Sequence, residues 1–263
     1  MGPLLHVGFG YLVLIGVAST RLGIILLIMP VFTRTGLTGA GRFGVAVALS
    51  VPVALHLLGS FEGLAALGIG QLTLLILKEA FLGLLLGLGF GLPFWAAGMA
   101  GDVFDFQRGS LQAYLVDPTQ ISEESITGTF LQLIMVALFY VGGGPHLLLS
   151  TLYDSYALWP PLAELPRFVP ESGVLLLGML DRMMMIAVLL AAPLIIVLLM
   201  VDATMALLGR AAPQLHIFFL SLPVKAIAVF AVLPVYIAFF IHHADTLLGD
   251  QPGVLATLKQ FFS

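Results

Sequence analysis

The chain has 263 residues, of which 60% are hydrophobic and 9% are charged, and its net charge at pH 7 is -4. Soluble domains carry about 25% charged residues because their surfaces face water, so the composition excludes a soluble globular protein and predicts one membrane domain, residues 1–263. The chain contains no cysteine, which excludes disulfides, thiolate catalysis and cysteine-bound metals, and no basic patch is large enough to bind nucleic acid.

Apolar stretches follow one another along the chain, and a helix needs about 20 mostly apolar residues to cross the hydrocarbon core. Five or six stretches reach or approach that length, which predicts an all-α, polytopic membrane protein of partly broken helices. A further apolar piece, 146–159, is too short to span and is expected to be re-entrant or interfacial. In chain order the long stretches are 9–32, 43–59, 72–101, 126–141, 174–208 and 217–241.

Prolines interrupt these stretches, and each one removes a helix hydrogen bond and clashes with the preceding turn. Two interpretations stay open. The prolines are ordinary kinks, since proline is frequent in membrane helices, or they mark broken helices inside an assembly, where neighbouring protein satisfies the freed carbonyl groups. The prolines are Pro30, Pro52, Pro93, Pro193, Pro223 and Pro234.

Glycines of the third stretch are spaced four residues apart and therefore share one face of a helix. A face of small residues lets a second backbone approach closely. Gly83, Gly87 and Gly91 are therefore predicted to pack against another helix, either of this chain or of another subunit.

Ionisable side chains also lie inside the apolar stretches, where each costs about 2.5–3.5 kcal/mol near a helix centre. Neighbours in sequence point about 100° apart on a helix, so Lys78 and Glu79 are not expected to pair well, nor are Asp181 and Arg182. The third and fifth stretches are therefore predicted to face each other at these doublets, and an ion pathway stays open as the alternative. The predicted buried charges are Arg21, Lys78, Glu79, Asp181, Arg182 and Lys225.

Motifs of enzymes and metal sites are missing from the sequence, which lacks HExxH, a Walker loop and GxSxG. His242 and His243 are adjacent, do not converge on one metal from a helix, and are expected at the membrane interface. We therefore expect no enzymatic activity, no catalytic residues, no metal and no cofactor.

Short segments in a fixed order carry a resemblance to a known family. Residues 101–109 read GDVFDFQRG and are followed by Asp117-Pro118, three glycines at 142–144 and SYALWP at 155–160. Residues 212–215 then read APQL, and residues 218–225 read FFLSLPVK. In this order the segments resemble the SpaR/YscT/HrcT family, the T subunit of type III secretion systems, to which flagellar FliR is related. The QRG and SYxxWP segments favour the injectisome branch.

The resemblance implies a non-enzymatic subunit of the export gate in the bacterial inner membrane, multi-pass and extending toward the periplasm. Its implied partners are R-type and S-type gate subunits, the U-type switch subunit, membrane lipid, and unfolded secreted proteins that pass through the centre of the gate. The loop 106–119 would be the pore plug, and Gly109 permits backbone shapes that other residues avoid. The implied plug residues are Phe106, Gln107, Arg108, Gly109, Ser110, Leu111, Gln112, Tyr114 and Asp117.

Other interpretations stay open at this point. Without the resemblance, the polar segment 102–125 is typical of an ordinary turn between helices. The chain also fits a secondary transporter or small-solute channel, a class in which broken helices and intramembrane charges are common. No matched pair of interrupted segments in two halves supports that class, and the size of the purified complex distinguishes it from an export gate.

Overall fold

A computed structural model describes residues 3–34, 36, 39–109, 125–163, 172–214, 217–249 and 253–260, and the regular elements within these ranges are all helical. A single 3-10 turn, Leu58–Ser60, joins the third and fourth helices. In chain order the helices are α1 (Pro3–Ile28), α2 (Pro30–Arg34), α3 (Gly39–Leu57), α4 (Phe61–Ala65), α5 (Ile69–Arg108), α6 (Ile126–Val141), α7 (Gly144–Leu158), α8 (Ser172–Ala211), α9 (Ile217–Gly249) and α10 (Gly253–Gln260).

Five helical segments among the described residues are long and apolar enough to cross a membrane, and α6 with α7 together would make a sixth. This confirms the prediction of an all-α polytopic chain with five to six apolar helices. The segments are Gly8–Ile28, Gly39–Leu64, Ile69–Arg108, Gly173–Ala211 and Phe219–Gly249.

Helix α5 is longer than the sequence predicted. Its predicted end was residue 101, but the helix continues to Arg108 and takes in the first part of the segment 102–125 that was expected to be a loop. No proline interrupts 102–108, and polar residues form helix readily when their side chains find partners. With 40 residues each, α5 and α8 are about 60 Å long, roughly twice the thickness of the hydrocarbon core.

The prolines mostly do not divide the helices. Pro52 lies inside α3, Pro93 inside α5 and Pro193 inside α8, and α9 contains both Pro223 and Pro234. Pro30 differs, because it begins α2 directly after the helix break at Met29. For five of the six prolines the structure therefore favours continuous helices over broken ones.

One compact unit comprises Met1–Leu92, Gly143–Leu177 and Asp250–Ser263. Here α1 packs on α3 and α4. The hydroxyl of Tyr153 in α7 donates to the Leu49 carbonyl at 2.8 Å, and the hydroxyl of Tyr156 donates to the Ala18 carbonyl at 2.9 Å. These bonds tie α7 to α3 and α1. The core residues of this unit include Val13, Leu14, Val17, Ala18, Val53, Leu57, Leu64 and Leu75.

The second compact unit comprises Pro93–Gly142 and Gly178–Gly249. The ring centroids of Phe94 in α5 and Phe139 in α6 lie 5.5 Å apart in an edge-to-face arrangement. Helix α6 also packs on α9, and the hydroxyl of Tyr236 in α9 donates to the Leu190 carbonyl of α8 at 3.1 Å. The C-terminal part of α5 is thus held in a bundle with α6, α8 and α9.

Candidate functional site

Close packing of α5 on α1 determines where the charges of the first unit lie. A Cβ atom at Gly83 would overlap the carbonyl oxygen of Arg21 and lie 3.1 Å from its Cα, and one at Gly87 would lie 2.7 Å from Cγ1 of Ile28. Gly91 is buried on the same helix. The partner of Gly83 and Gly87 is therefore α1 of the same chain, and this close approach brings Arg21 beside α5.

Arg21 is fully buried and is the centre of what we call the arginine cluster: Arg21, Lys78, Glu79 and Ser155 with the carbonyls of Trp159, Pro160, Pro161 and Ala163. Its Nε donates to Oε2 of Glu79 at 3.0 Å, and Nη2 lies 2.9 Å from the same oxygen. Nη1 donates to Oγ of Ser155 at 2.7 Å, and Nη2 donates to the Trp159 carbonyl at 3.0 Å. The guanidinium carbon lies 4.0 Å from the centroid of the Tyr156 ring. The arginine is therefore paired and hydrogen-bonded throughout.

Lys78 binds the backbone that follows α7. Its ammonium group donates to the carbonyls of Pro160 at 2.9 Å, Pro161 at 2.5 Å and Ala163 at 3.1 Å, which matches the three donors of a lysine. Its Nζ also lies 3.7 Å from Oε1 of Glu79. The neighbours thus form an ion pair without a hydrogen bond, and that carboxylate oxygen has no hydrogen-bond partner among the described residues.

The arginine cluster fixes the chain where it leaves α7. Helix α7 ends at Leu158, two prolines follow, and proline cannot donate a backbone hydrogen bond to continue a helix. The backbone carbonyls that follow the helix instead accept hydrogen bonds from two buried cations, Arg21 and Lys78. These bonds anchor the turn after α7 to α1 and α5.

The predicted pairing of the two charged doublets is wrong. Glu79 pairs with Arg21, because the glycine contact places α1 and not another helix against this face of α5. Asp181 and Arg182 are exposed in this chain rather than buried. Of the predicted buried charges, the structure buries Arg21, Lys78, Glu79 and Lys225.

The second unit holds a separate polar group, the lysine cluster of Gln107, Asp202 and Lys225, from α5, α8 and α9. Nζ of Lys225 lies 2.7 Å from Oδ1 of Asp202 and donates to the backbone carbonyl of Gln107 at 3.2 Å. Nε2 of Gln107 donates to the other oxygen of Asp202 at 3.3 Å. Each member of the cluster thus contacts the other two.

Asp105 joins the end of α5 to the start of α6. Its Oδ2 accepts from Oγ of Ser125 at 2.7 Å and from the backbone N–H of Thr127 at 3.0 Å. Its Oδ1 accepts from Oγ1 of Thr127 at 2.7 Å and lies 3.3 Å from Nη2 of Arg108. Oγ of Ser125 in turn accepts from the backbone N–H of Gly128 at 2.8 Å, a typical N-cap. The residues on both sides of 110–124 are therefore bound to one carboxylate.

The residues predicted as a plug fall in two groups. Phe106, Gln107 and Arg108 form the last turn of α5, so the prediction of a loop from residue 106 is wrong for these three. Gly109 follows the helix with φ +95 and donates its N–H to the Phe106 carbonyl at 3.0 Å, a conformation that favours glycine. The remaining plug residues, Ser110, Leu111, Gln112, Tyr114 and Asp117, lie outside the described residues.

The residues where α5 contacts α6 were not predicted from the sequence. A Cβ atom at Gly101 would collide with the backbone of Gly128, and one at Gly98 would lie 3.0 Å from Cδ of Gln132. The spacing of Gly98 and Gly101 places both on one helix face, and this signal was available in the sequence. Asp105 gave no such signal, because its hydrogen-bond donors Ser125 and Thr127 follow 20 or more residues later.

Comparisons with known proteins agree on one group of relatives. Residues 12–250 match the family model described as bacterial export proteins, family 1. Yop proteins translocation protein T of Yersinia pestis is 36% identical over 174 residues, or 66% of this chain and 67% of that protein. Secretion system apparatus protein SsaT of Salmonella typhimurium is 28% identical over 255 residues, which is 96% of either chain. Surface presentation of antigens protein SpaR of the same organism is 31% identical over 215 residues, which is 80% of this chain and 79% of SpaR. Flagellar biosynthetic proteins FliR are also similar.

Proposed function

The chain belongs to family 1 of the bacterial export proteins, the SpaR/YscT/HrcT family of type III secretion components to which FliR is related, and we propose that it is a non-enzymatic subunit of a protein export gate. The single observation that carries the proposal is the family match, which extends over residues 12–250. The gate lies in the bacterial inner membrane, and the whole chain, residues 1–263, acts as one membrane domain of it.

The proposed partners follow from the same relationship. Relatives are named as translocation and secretion-apparatus proteins, and an apparatus implies further subunits. We assign R-type and S-type gate subunits and the U-type switch subunit as neighbours, membrane lipid as the surroundings, and unfolded secreted proteins as the cargo. Exposed apolar side chains on α8 and α9, among them Met185, Val188, Phe219 and Phe230, agree with a chain that is covered by lipid and by other subunits.

The segment that begins at the last turn of α5 is proposed as the plug of this gate. Asp105 binds Ser125 and Thr127, so described residues on the two sides of 110–124 are joined to each other. The alternative is an ordinary turn between α5 and α6, which the same cap would also support.

A transporter or small-solute channel is the competing function. It would use its intramembrane charges to bind an ion or solute. In this chain Arg21 and Lys78 are bound by Glu79 and backbone carbonyls, and Lys225 is bound by Asp202. These groups have contacts within the protein, which supports a structural role over a transport site.

Complementation and co-purification together test the proposed function. In the native strain without its own copy of this gene, the tagged protein should restore secretion into the medium and should co-purify with other small apolar subunits. Gly83→Leu should abolish both, because leucine cannot fit against the Arg21 backbone, whereas Gly70→Leu on the same helix faces open space and serves as the control. A small homo-oligomer that restores no secretion would contradict the proposal and favour a transporter.

Removal of residues 110–115 tests the plug. The deletion keeps Gly109 and the Asp105 contacts, and the nine or so remaining residues can still reach Ser125, since each spans at most about 3.3–3.6 Å. The assembled gate should leak ions or small solutes, measured as conductance in planar bilayers with matched expression. An assembled gate with this deletion that stays tight would mean that the segment is an ordinary turn.

A further inference from the structure

The lysine cluster lies at the meeting point of three helices in the second unit. Asp202 lies roughly two turns before the end of α8 and Lys225 about two turns after the start of α9, so their 2.7 Å ion pair crosses the α8–α9 hairpin. Nearer to the connection, a Cβ atom at Gly209 would lie 3.2 Å from Cγ1 of Ile217. Helices α8 and α9 are therefore joined by side-chain packing near their connection and by an ion pair about two turns away from it.

Gln107 links this hairpin to α5 by two different groups. Its side-chain amide donates to Asp202, and its backbone carbonyl accepts from Lys225. That carbonyl is one of the last four of α5, which have no partner inside the helix, and a cation is favourable at a helix C-terminus. Lys225 thus neutralises Asp202 and caps α5 with the same ammonium group.

Lys225 depends more on the ion pair than Asp202 does, because it is buried. The side chain of Lys225 is 10% exposed, whereas the side chain of Asp202 is 38% exposed and can be hydrated. If the ion pair breaks, the aspartate can turn to water, but the lysine stays buried without its counter-ion, which is unfavourable. The contact with α5 is therefore lost together with the pair.

We propose that the lysine cluster is a latch that fixes the last turn of α5 on the α8–α9 hairpin, with Asp202 and Lys225 as positioning residues for that turn. The latch sets the position of Phe106, which is 63% exposed and precedes the segment proposed above as the plug. Its effect on the gate rests on the proposed function, but its effect on α5 does not. A movement of α8 or α9 is transmitted to α5 through these three side chains.

A spin label at residue 106 tests the latch directly. The chain contains no cysteine, so Phe106→Cys gives a single labelling site in the purified full chain. Lys225→Met should increase the mobile fraction of the label about tenfold, which corresponds to about 1.4 kcal/mol. Lys259→Met, the same change at an exposed lysine of α10, should leave the spectrum unchanged.

The exchange Asp202→Lys with Lys225→Asp separates the latch from simple stabilisation of the hairpin. It restores an ion pair between α8 and α9, so thermal stability should recover. It also turns a carboxylate toward the Gln107 carbonyl, where two acceptors repel, so the label should stay mobile. If the exchange restores both stability and immobility, the cluster only stabilises the hairpin and the latch is overturned.

Gln107→Leu is a second test of the latch, for the case in which the Lys225→Met protein does not fold. It removes only the side-chain bond to Asp202, and we expect a smaller increase in mobility of the same kind. An unchanged spectrum for a folded Gln107→Leu protein overturns the latch. Increased mobility in gates that neither leak nor lose secretion supports the latch and contradicts the plug, so the two proposals fail separately.

Discussion

Removal of the Glu79 carboxylate is the most direct test of the arginine cluster. Arg21 and Glu79 are both completely buried and 2.9 Å apart, a distance at which their attraction is on the order of 5 kcal/mol for an effective dielectric constant of about 20. The removal of one partner from a buried pair costs about 3–5 kcal/mol, because the remaining charge stays buried. In Glu79→Gln the amide oxygen can still accept a hydrogen bond from Nε, so we expect a cost near the lower limit, about 3 kcal/mol.

A double-mutant cycle measures this coupling. Glu79→Gln, Arg21→Met and the double variant are purified in mild detergent, and the free energy of unfolding is measured by denaturant titration. Residues in one salt-bridge network show interaction energies of about 0.5–3 kcal/mol, and a pair without exposure should lie in the upper part of that range. The double variant should therefore be more stable than the sum of the single losses predicts.

An exposed arginine serves as the control for the double-mutant cycle. Arg210 is exposed in the last turn of α8, so Arg210→Met should be nearly neutral and should add to Glu79→Gln without interaction. The reasoning is refuted if Glu79→Gln and Arg21→Met are also additive within about 0.5 kcal/mol. That result would mean that the two charges are stabilised independently, by water or by backbone groups.

Three further changes have expected outcomes. Gly87→Leu should lower the free energy of unfolding by about 1–3 kcal/mol or more through overpacking against Ile28, with Gly70→Leu as the neutral control. Asp105→Ala removes the acceptor of the Thr127 N–H; it should cost about 0.5–2 kcal/mol and speed hydrogen exchange in the first turn of α6. Lys78→Met removes a hydrogen-bond donor from three carbonyls; thermal unfolding should occur at lower temperature, and an unchanged midpoint would contradict the anchor.

Local sequence signals predicted α6 well and the end of α5 poorly. The predicted range 126–141 coincides with α6, because Ser125 supplies an N-cap before the apolar run and Gly142 with Gly143 ends it. The end of α5 was expected at the last apolar residue. Its final turns are polar, and they stay helical because Asp105 and Gln107 find partners on α6, α8 and α9. Those partners are distant in sequence, so tertiary structure decides where the helix ends.

Local sequence patterns could not predict the partners of the buried charges, because those partners are also distant in sequence. The spacing of Gly83 and Gly87 predicted a packing face, but it carried no information on which helix would fill that face. Once α1 fills it, Arg21 necessarily lies beside Glu79, which is 58 residues away in sequence. The exposed doublet Asp181 and Arg182 looks the same in sequence as Lys78 and Glu79, and only packing separates them.

Four charged side chains in the described parts of this chain bind backbone groups near helix ends, which indicates that they satisfy the hydrogen-bonding groups of the backbone. Lys78 and Arg21 bind carbonyls that follow α7, Asp105 binds an N–H at the start of α6, and Lys225 binds a carbonyl at the end of α5. Inside a membrane no water is available for such groups, and an unsatisfied one costs several kcal/mol. A chain whose helix ends lie in apolar surroundings therefore needs ionic side chains that satisfy the backbone groups there. On this argument the charges at 21, 78, 79, 202 and 225 are required by the fold, and a variant that removes one should lose assembly before it changes any selectivity of the gate.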